Sequence, residues 1–185
     1  MAQSKYIKSV LKAAGGIPHS TEWFRNKIKE FGTPKSMDLI RDGKRTSVPT
    51  FGLLNMFVYD PKGKEKLPYY DTFPLVLPIE KYNNGFLGIN LHYLSIPMRI
   101  RLLDRLTETA NNKKFDESTR LNADYSKLKN IDLIKPCLKR YLAGQVKSKF
   151  RKVGADEFII ATLLPVQRFK KQSDNYVFGK SRGMV

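Results

Sequence analysis

Apolar residues recur at helical spacing near the start of the chain, shorten to strand-like runs in its middle, and return to helical spacing after residue 95. The first 16 residues read as a short basic helix ended by Gly15-Gly16. A second helix is better marked: Ser20 or Thr21 caps it, Glu22 sits in its first turn, and Gly32 stops it. Within it Phe24, Ile28 and Phe31 form one stripe beside Trp23. Trp23, Phe24, Ile28 and Phe31 are therefore expected as core or as a partner-docking face. Residues 33–50 carry Pro34, Gly43 and Pro49 among Arg41, Lys44 and Arg45, which reads as an extended basic linker.

The middle of the chain alternates quickly. Leu53 to Tyr59 is strand-like, and Asp60-Pro61-Lys62-Gly63 is a turn with proline at its second position. Leu67–Asp71, Phe73–Ile79 and Phe86–Tyr93 follow as short β runs, the last two separated by the turn residues Asn83-Asn84-Gly85. Pro68, Pro74 and Pro78 argue for edges or bends, because proline donates nothing to a ladder. Four or five short strands in so small a span suggest an SH3- or OB-like barrel or a twisted antiparallel sheet, and such a unit needs helices against it. Ser95 or Ile96 opens a helix with Pro97 in its first turn. Its buried stripe is read as Ile96, Ile100, Leu103 and Leu106, with Arg99, Arg101 and Arg105 polar. Residues 107–120 read as a loop. Asp124 to Ala143 reads as helix with a break at Pro136, turning Leu138, Tyr141, Leu142 and Val146 inward. Phe158–Leu164, short, apolar and β-rich, reads as a buried strand. From Pro165 onward the pattern suggests a flexible basic tail.

The fold class expected is thus α+β. Residues 1–48 form a basic N-terminal arm with short helices, 49–95 an aromatic β module, and 96–185 a helical region with one buried strand and a basic C-terminal tail. The globular unit runs from 49 to 178, since 185 residues are enough for one good core.

Charge sharpens this picture. The net charge is +17, yet the module from Thr50 to Leu94 is neutral: Lys62, Lys64, Lys66 and Lys81 balance Asp60, Glu65, Asp71 and Glu80. The excess lies in the flanks, and it concerns partners rather than fold. The densest segment holds Lys135, Lys139, Arg140, Lys147, Lys149, Arg151 and Lys152 without an acid. On one side of a helix these would follow a phosphate backbone without reading bases, or meet an acidic protein surface. Tyr59, Tyr69, Tyr70, Tyr82 and Tyr93 could stack unpaired bases, but the module has no excess of lysine and arginine, so core and protein interface suit them better.

Catalytic chemistry finds little support. His92 in GINLHYL reads as a hydrogen-bonded strand histidine, and His19 precedes a helix cap. Two histidines and the single Cys137 cannot form a closed zinc site, and the lone cysteine excludes an internal disulfide. Asp60, Asp71 and Asp104 could in principle hold magnesium, but turn formation and local ion pairing explain Asp60 and Asp104 more simply. Gly85 and Gly88 lack the lysine and helix of a phosphate loop. No catalytic residue, metal or cofactor is expected, and no apolar run is long enough to span a membrane.

The segments YDPKGKEKLPYYDTFPLVLPIE (59–80), GFLGINLHYLSIPMRIRLLDRL (85–106) and LLPVQRFKKQSDNYVFGKSR (163–182) resemble small virion-associated proteins of large contractile-tailed bacteriophages. The resemblance implies baseplate, neck or DNA-end roles and no catalytic residues. The function expected is therefore a non-enzymatic structural or assembly protein of the virion, binding acidic surfaces of neighbouring subunits. The alternative is a sequence-independent binder of double-stranded DNA that acts on phage DNA or its ends during packaging. Either places the protein in the virion, and in host cytoplasm during assembly.

Overall fold

The capping signals of the N-terminal third produce helices where they predict them. In the computed structural model, which describes residues 6–122 and 124–185, α1 spans Tyr6–Ala14 and is followed by Gly15 and Gly16, both at positive φ. The second helix, α2 (Thr21–Phe31), starts where the Ser20 hydroxyl accepts a bond from the Trp23 amide at 3.2 Å and stops at Gly32, φ 75°. The expected linker is instead partly helical: α3 covers Ser36–Asp42 and buries Leu39 and Ile40. Two adjacent apolar residues anchor a helix of about two turns after Pro34, which outweighs the segment's turn-forming composition. The residues expected as an arm thus place Ile7, Val10, Phe24, Ile28, Leu39 and Ile40 in the main core.

Among the described residues eight strands follow: β1 (Arg45–Thr46), β2 (Leu54–Met56), β3 (Tyr70–Asp71), β4 (Leu75–Tyr82), β5 (Gly85–Asn90), β6 (Leu138–Leu142), β7 (Phe150–Val153) and β8 (Phe169–Lys170). Six form an open antiparallel sheet in the order β1-β7-β2-β4-β5-β6, while β3 pairs with β8. The architecture is α+β, and of the two forms anticipated the sheet is found rather than the closed barrel. The hairpin β4–β5 turns at Asn83-Asn84 as its residues suggest. Pro78 is tolerated inside β4 because β2 pairs only as far as Leu75 and Val76, and the register to β5 shifts between Pro78 and Glu80.

Strand alternation divides the apolar residues between two faces. Leu75, Leu77, Ile89 and Val153 face the main core with the helices, whereas Val76, Phe86, Tyr141 and Phe150 join Phe57 and Tyr59 on the other side. The helices against the main core include α4 (Ile96–Thr107), the short α5 (Tyr125–Leu128), α6 (Phe158–Leu163) and α7 (Asp174–Arg182). In α4 the buried residues are Arg99, Leu102, Leu103 and Leu106, so the stripe lies one position round from the expected one and takes in an arginine.

Three further expectations are overturned. Residues 138–142 are strand β6, not helix, although Leu138, Tyr141, Leu142 and Val146 have helical spacing. Each face of that strand mixes apolar and basic residues, Leu138 with the exposed Arg140 on one and Tyr141 with Lys139 on the other, so no clean alternation is there to be read. Phe158–Leu163 is a helix, not a strand. It is buried on nearly every side among α2 and α4, which erases the amphipathic period. Nor does the tail run free: α7 buries Val177 and Ser181.

Candidate nucleic-acid interface

The seven basic residues expected to share a helix side are distributed by the sheet. Between β6, at one edge, and β7, next to the other, lie β5, β4 and β2. Lys135 is exposed in the 3-10 stretch before β6 and pairs with Asp132 at 2.7 Å. Lys147 and Lys149 lie in the connection between the two strands. Arg151 is fully buried and holds Glu157 through two bonds of 2.9 and 3.1 Å, while its Nε donates to the Leu39 carbonyl at 3.0 Å. It is a structural cation tying α3 to β7 and is unavailable to any partner. Lys152 is half-buried and lines a cavity of mixed charge, with Glu117, Asp156 and Glu157 beside Lys8, Lys44 and Arg120.

Lys139 and Arg140 differ from the rest, because both lie over tyrosine rings. The Lys139 ammonium is 4.1 Å from the centre of the Tyr93 ring, and the Arg140 guanidinium is 3.9 Å from that of Tyr82 and donates to Asn84. Burial holds the Lys139 amine below its ordinary pKa. Neither residue joins an ion pair among the described residues. Beside them runs a groove of about 450 Å³ lined by Tyr59, Lys62, Tyr69, Tyr70, Tyr93, Lys139 and Arg140, among others. The tyrosines, whose own segment carries no net excess of cations, thus receive two more from β6, which lies well beyond them in the chain. Strand pairing supplies what local composition lacks.

The docking residues of α2 separate in the same way. Phe24 and Ile28 belong to the core; Trp23 is half-buried and stacks on His19 with ring centres 3.7 Å apart; Phe31 is exposed against Tyr6.

Beneath the groove lies a polar network whose members stand far apart in the chain. Asp71 is buried and accepts from His92 at 3.0 Å, from the Asn90 amide, and from the backbone of Phe73 and Arg168. Burial alone would raise the Asp71 pKa; His92 and these donors outweigh it and hold the carboxyl below its ordinary value. Burial pushes the His92 pKa down, Asp71 opposing. The histidine is hydrogen-bonded as expected but sits in the 3-10 turn after β5, not in a strand. Close by, Arg99 is buried and donates to the carbonyls of Leu94, Leu164 and His92 and to Gln167. The expected polar role for Arg99 therefore gives way to cross-linking the C-terminal segment to α4. Asp60, weighed as a metal ligand, pairs with Lys64 at 2.7 Å. Among the described residues no group of three or more His, Cys, Asp or Glu is placed to hold a metal ion, and no helix is long and apolar enough to cross a membrane.

No curated protein and no solved structure matches the chain. A family model does: that of the phage T4 terminal DNA protecting protein matches residues 4–182, which takes in the N-terminal helices, both sheet edges and α7. With nearly its whole length matched, the chain belongs to the phage T4 terminal DNA protecting protein family.

Proposed function

We propose that the chain binds the ends of linear phage DNA and shields them by occupancy rather than by chemistry. The observation that carries this reading is the family match over 4–182, whose description names terminal DNA and its protection. The net charge of +17 supports it, because each phosphate neutralised releases counterions. So do the cations of β6 and the β6–β7 connection, which present charge without local carboxylates. The family description fits the DNA-end alternative better than the baseplate or neck role. On this reading the protein works where those ends lie, in the virion and in the host cytoplasm, and its first partner is double-stranded DNA.

A second reading, attachment to a neighbouring virion subunit, draws on a different feature. An apolar cleft of about 540 Å³ beside the β4–β5 hairpin exposes Val48, Phe51 and Tyr82. The two roles are compatible, since this cleft and the tyrosine groove are lined by different residues.

The deciding experiment is fluorescence anisotropy with labelled linear duplex, competed with closed circular DNA across a salt series. End binding predicts steep salt dependence and competition by linear but not circular DNA. Equal competition by both would reject end recognition, and negligible affinity at physiological salt would leave the charge to protein partners.

A further inference from the structure

We infer that the groove between β3 and β6 takes the unpaired terminal nucleotide of a DNA strand, stacking its base on the groove tyrosines and holding its phosphate on Lys139 and Lys62. This rests on the DNA-end reading and goes further, because it names what part of the end is gripped.

The aromatic wall is built in advance. Tyr69 packs against Tyr93, Phe169 and Tyr176 with ring centres 6.0 to 6.5 Å apart, so its position is set before any ligand arrives. Tyr69 and Tyr70 are only half-buried, which leaves ring surface open to the groove. Behind Tyr70 the β3–β8 pair is clamped: Lys171 donates to the carbonyls of Glu65 and Leu67 at 2.8 and 2.7 Å, and Asp71 accepts from the Arg168 amide. Rigid aromatic surfaces bind with little ordering cost.

The cations point to an anion. Lys139 is largely withdrawn from water yet faces a ring instead of a carboxylate, an arrangement that costs solvation without a full counter-charge. A phosphate in the groove would supply that charge. Lys62 lines the same groove, and Lys170 stands opposite Tyr70 in the β3–β8 register. The one carboxylate lining the groove, Asp71, is occupied by its internal donors. Size sets the class of ligand: a cavity of about 450 Å³ suits a nucleotide and not a paired duplex. Stacking on a tyrosine face needs a base that is not already stacked between neighbours, which the last residue of an overhang or a frayed end provides.

The test compares a short duplex with blunt ends, the same duplex with a few unpaired nucleotides at one end, and a dumbbell closed by hairpin loops. The wild-type chain should favour the overhang over the blunt end by about five- to a hundredfold, the range of one stacked base. In Tyr70→Ala that ratio should fall to one, and Tyr70→Phe should restore it. Overhang carrying 5-iodouracil as its last base, irradiated with wild-type protein, should cross-link to Tyr69, Tyr70 or Tyr93; this readout does not depend on any variant folding. Preference for open ends with no gain from an overhang, or cross-links mapping elsewhere, would overturn the groove assignment and leave end binding intact. Equal affinity for the dumbbell and the open duplexes would overturn both.

Discussion

Arg151 and Glu157 form a two-pronged ion pair at 2.9 and 3.1 Å, with the arginine side chain wholly buried and the glutamate nearly so. Glu157 also accepts the Gly154 amide at 3.0 Å, and so starts the turn that leads into α6. Gly43 is required by the same pair, since a Cβ there would lie 2.6 Å from Arg151 Nε. One cation from a conspicuous basic cluster is therefore committed to joining α3, β7 and α6.

Removing one partner leaves a buried charge uncompensated. Glu157→Gln or Arg151→Ala should lower the unfolding free energy by about 3–5 kcal/mol. Denaturant titration followed by circular dichroism measures this. A loss well under 1 kcal/mol would show that the pair has no structural role.

The cations that remain free should appear in the salt dependence of DNA binding. Exchanging Lys139, Arg140, Lys147 and Lys149 for glutamine should flatten the slope of log affinity against log salt by about 0.9 for each phosphate no longer neutralised. Lys135→Gln should change it less, because Lys135 already pairs with Asp132. An unchanged slope in the fourfold variant would move the interface away from β6.

Stability should fall on acidification, and His92 sets the first step. Its folded pKa lies below the ordinary 6.5 because burial disfavours the imidazolium. The unfolded chain then binds a proton at a pH where the folded chain does not, so the stabilisation is present above about 6.5 and is lost as pH falls toward the folded value. Asp71, also lowered, adds a second loss below its ordinary 3.8; Asp42, raised by burial, works in the opposite direction above 3.8, between its unfolded and folded values. The urea midpoint should drop between about pH 8 and pH 5 in the wild-type chain. His92→Gln should flatten this decline. A midpoint independent of pH would contradict the buried neutral histidine.

At Gly85 β5 approaches β6 too closely for a side chain: a Cβ there would lie 1.9 Å from the Tyr141 carbonyl oxygen. Gly85→Ala should force the strands apart, lower stability by roughly 1–3 kcal/mol, and weaken DNA binding, because β6 carries Lys139 and Arg140. Thermal melting and the anisotropy assay test the two effects separately. Full DNA affinity in a destabilised variant would detach the interface from the β6 edge.

Much of the architecture can be read residue by residue. Ser20, Gly32 and Ser95 mark helix ends by what their own side chains or backbone do within one turn, and Asn83-Asn84-Gly85 turns a hairpin for the same local reason. Leu138–Leu142 and Phe158–Leu163 resist such reading because both are covered on more than one side. In Phe158–Leu163 nearly every side is covered, and in Leu138–Leu142 each face mixes an apolar residue with a cation, so the period that tells strand from helix disappears. The basic cluster is visible in the chain, but its division into bound Arg151 and free Lys139 and Arg140 is not.

Local chemistry thus determined the α+β class, the capped helices, the central hairpin and the strongly positive charge, since propensity, capping and net charge depend on residues close in sequence or on composition alone. The tertiary structure decided which cations are free and what stands beside them. Strand pairing brought residues 139 and 140 beside tyrosines 59, 69, 70 and 93, and burial withdrew Arg99 and Arg151 from solvent. Both depend on the meeting of distant segments, which no window of sequence contains.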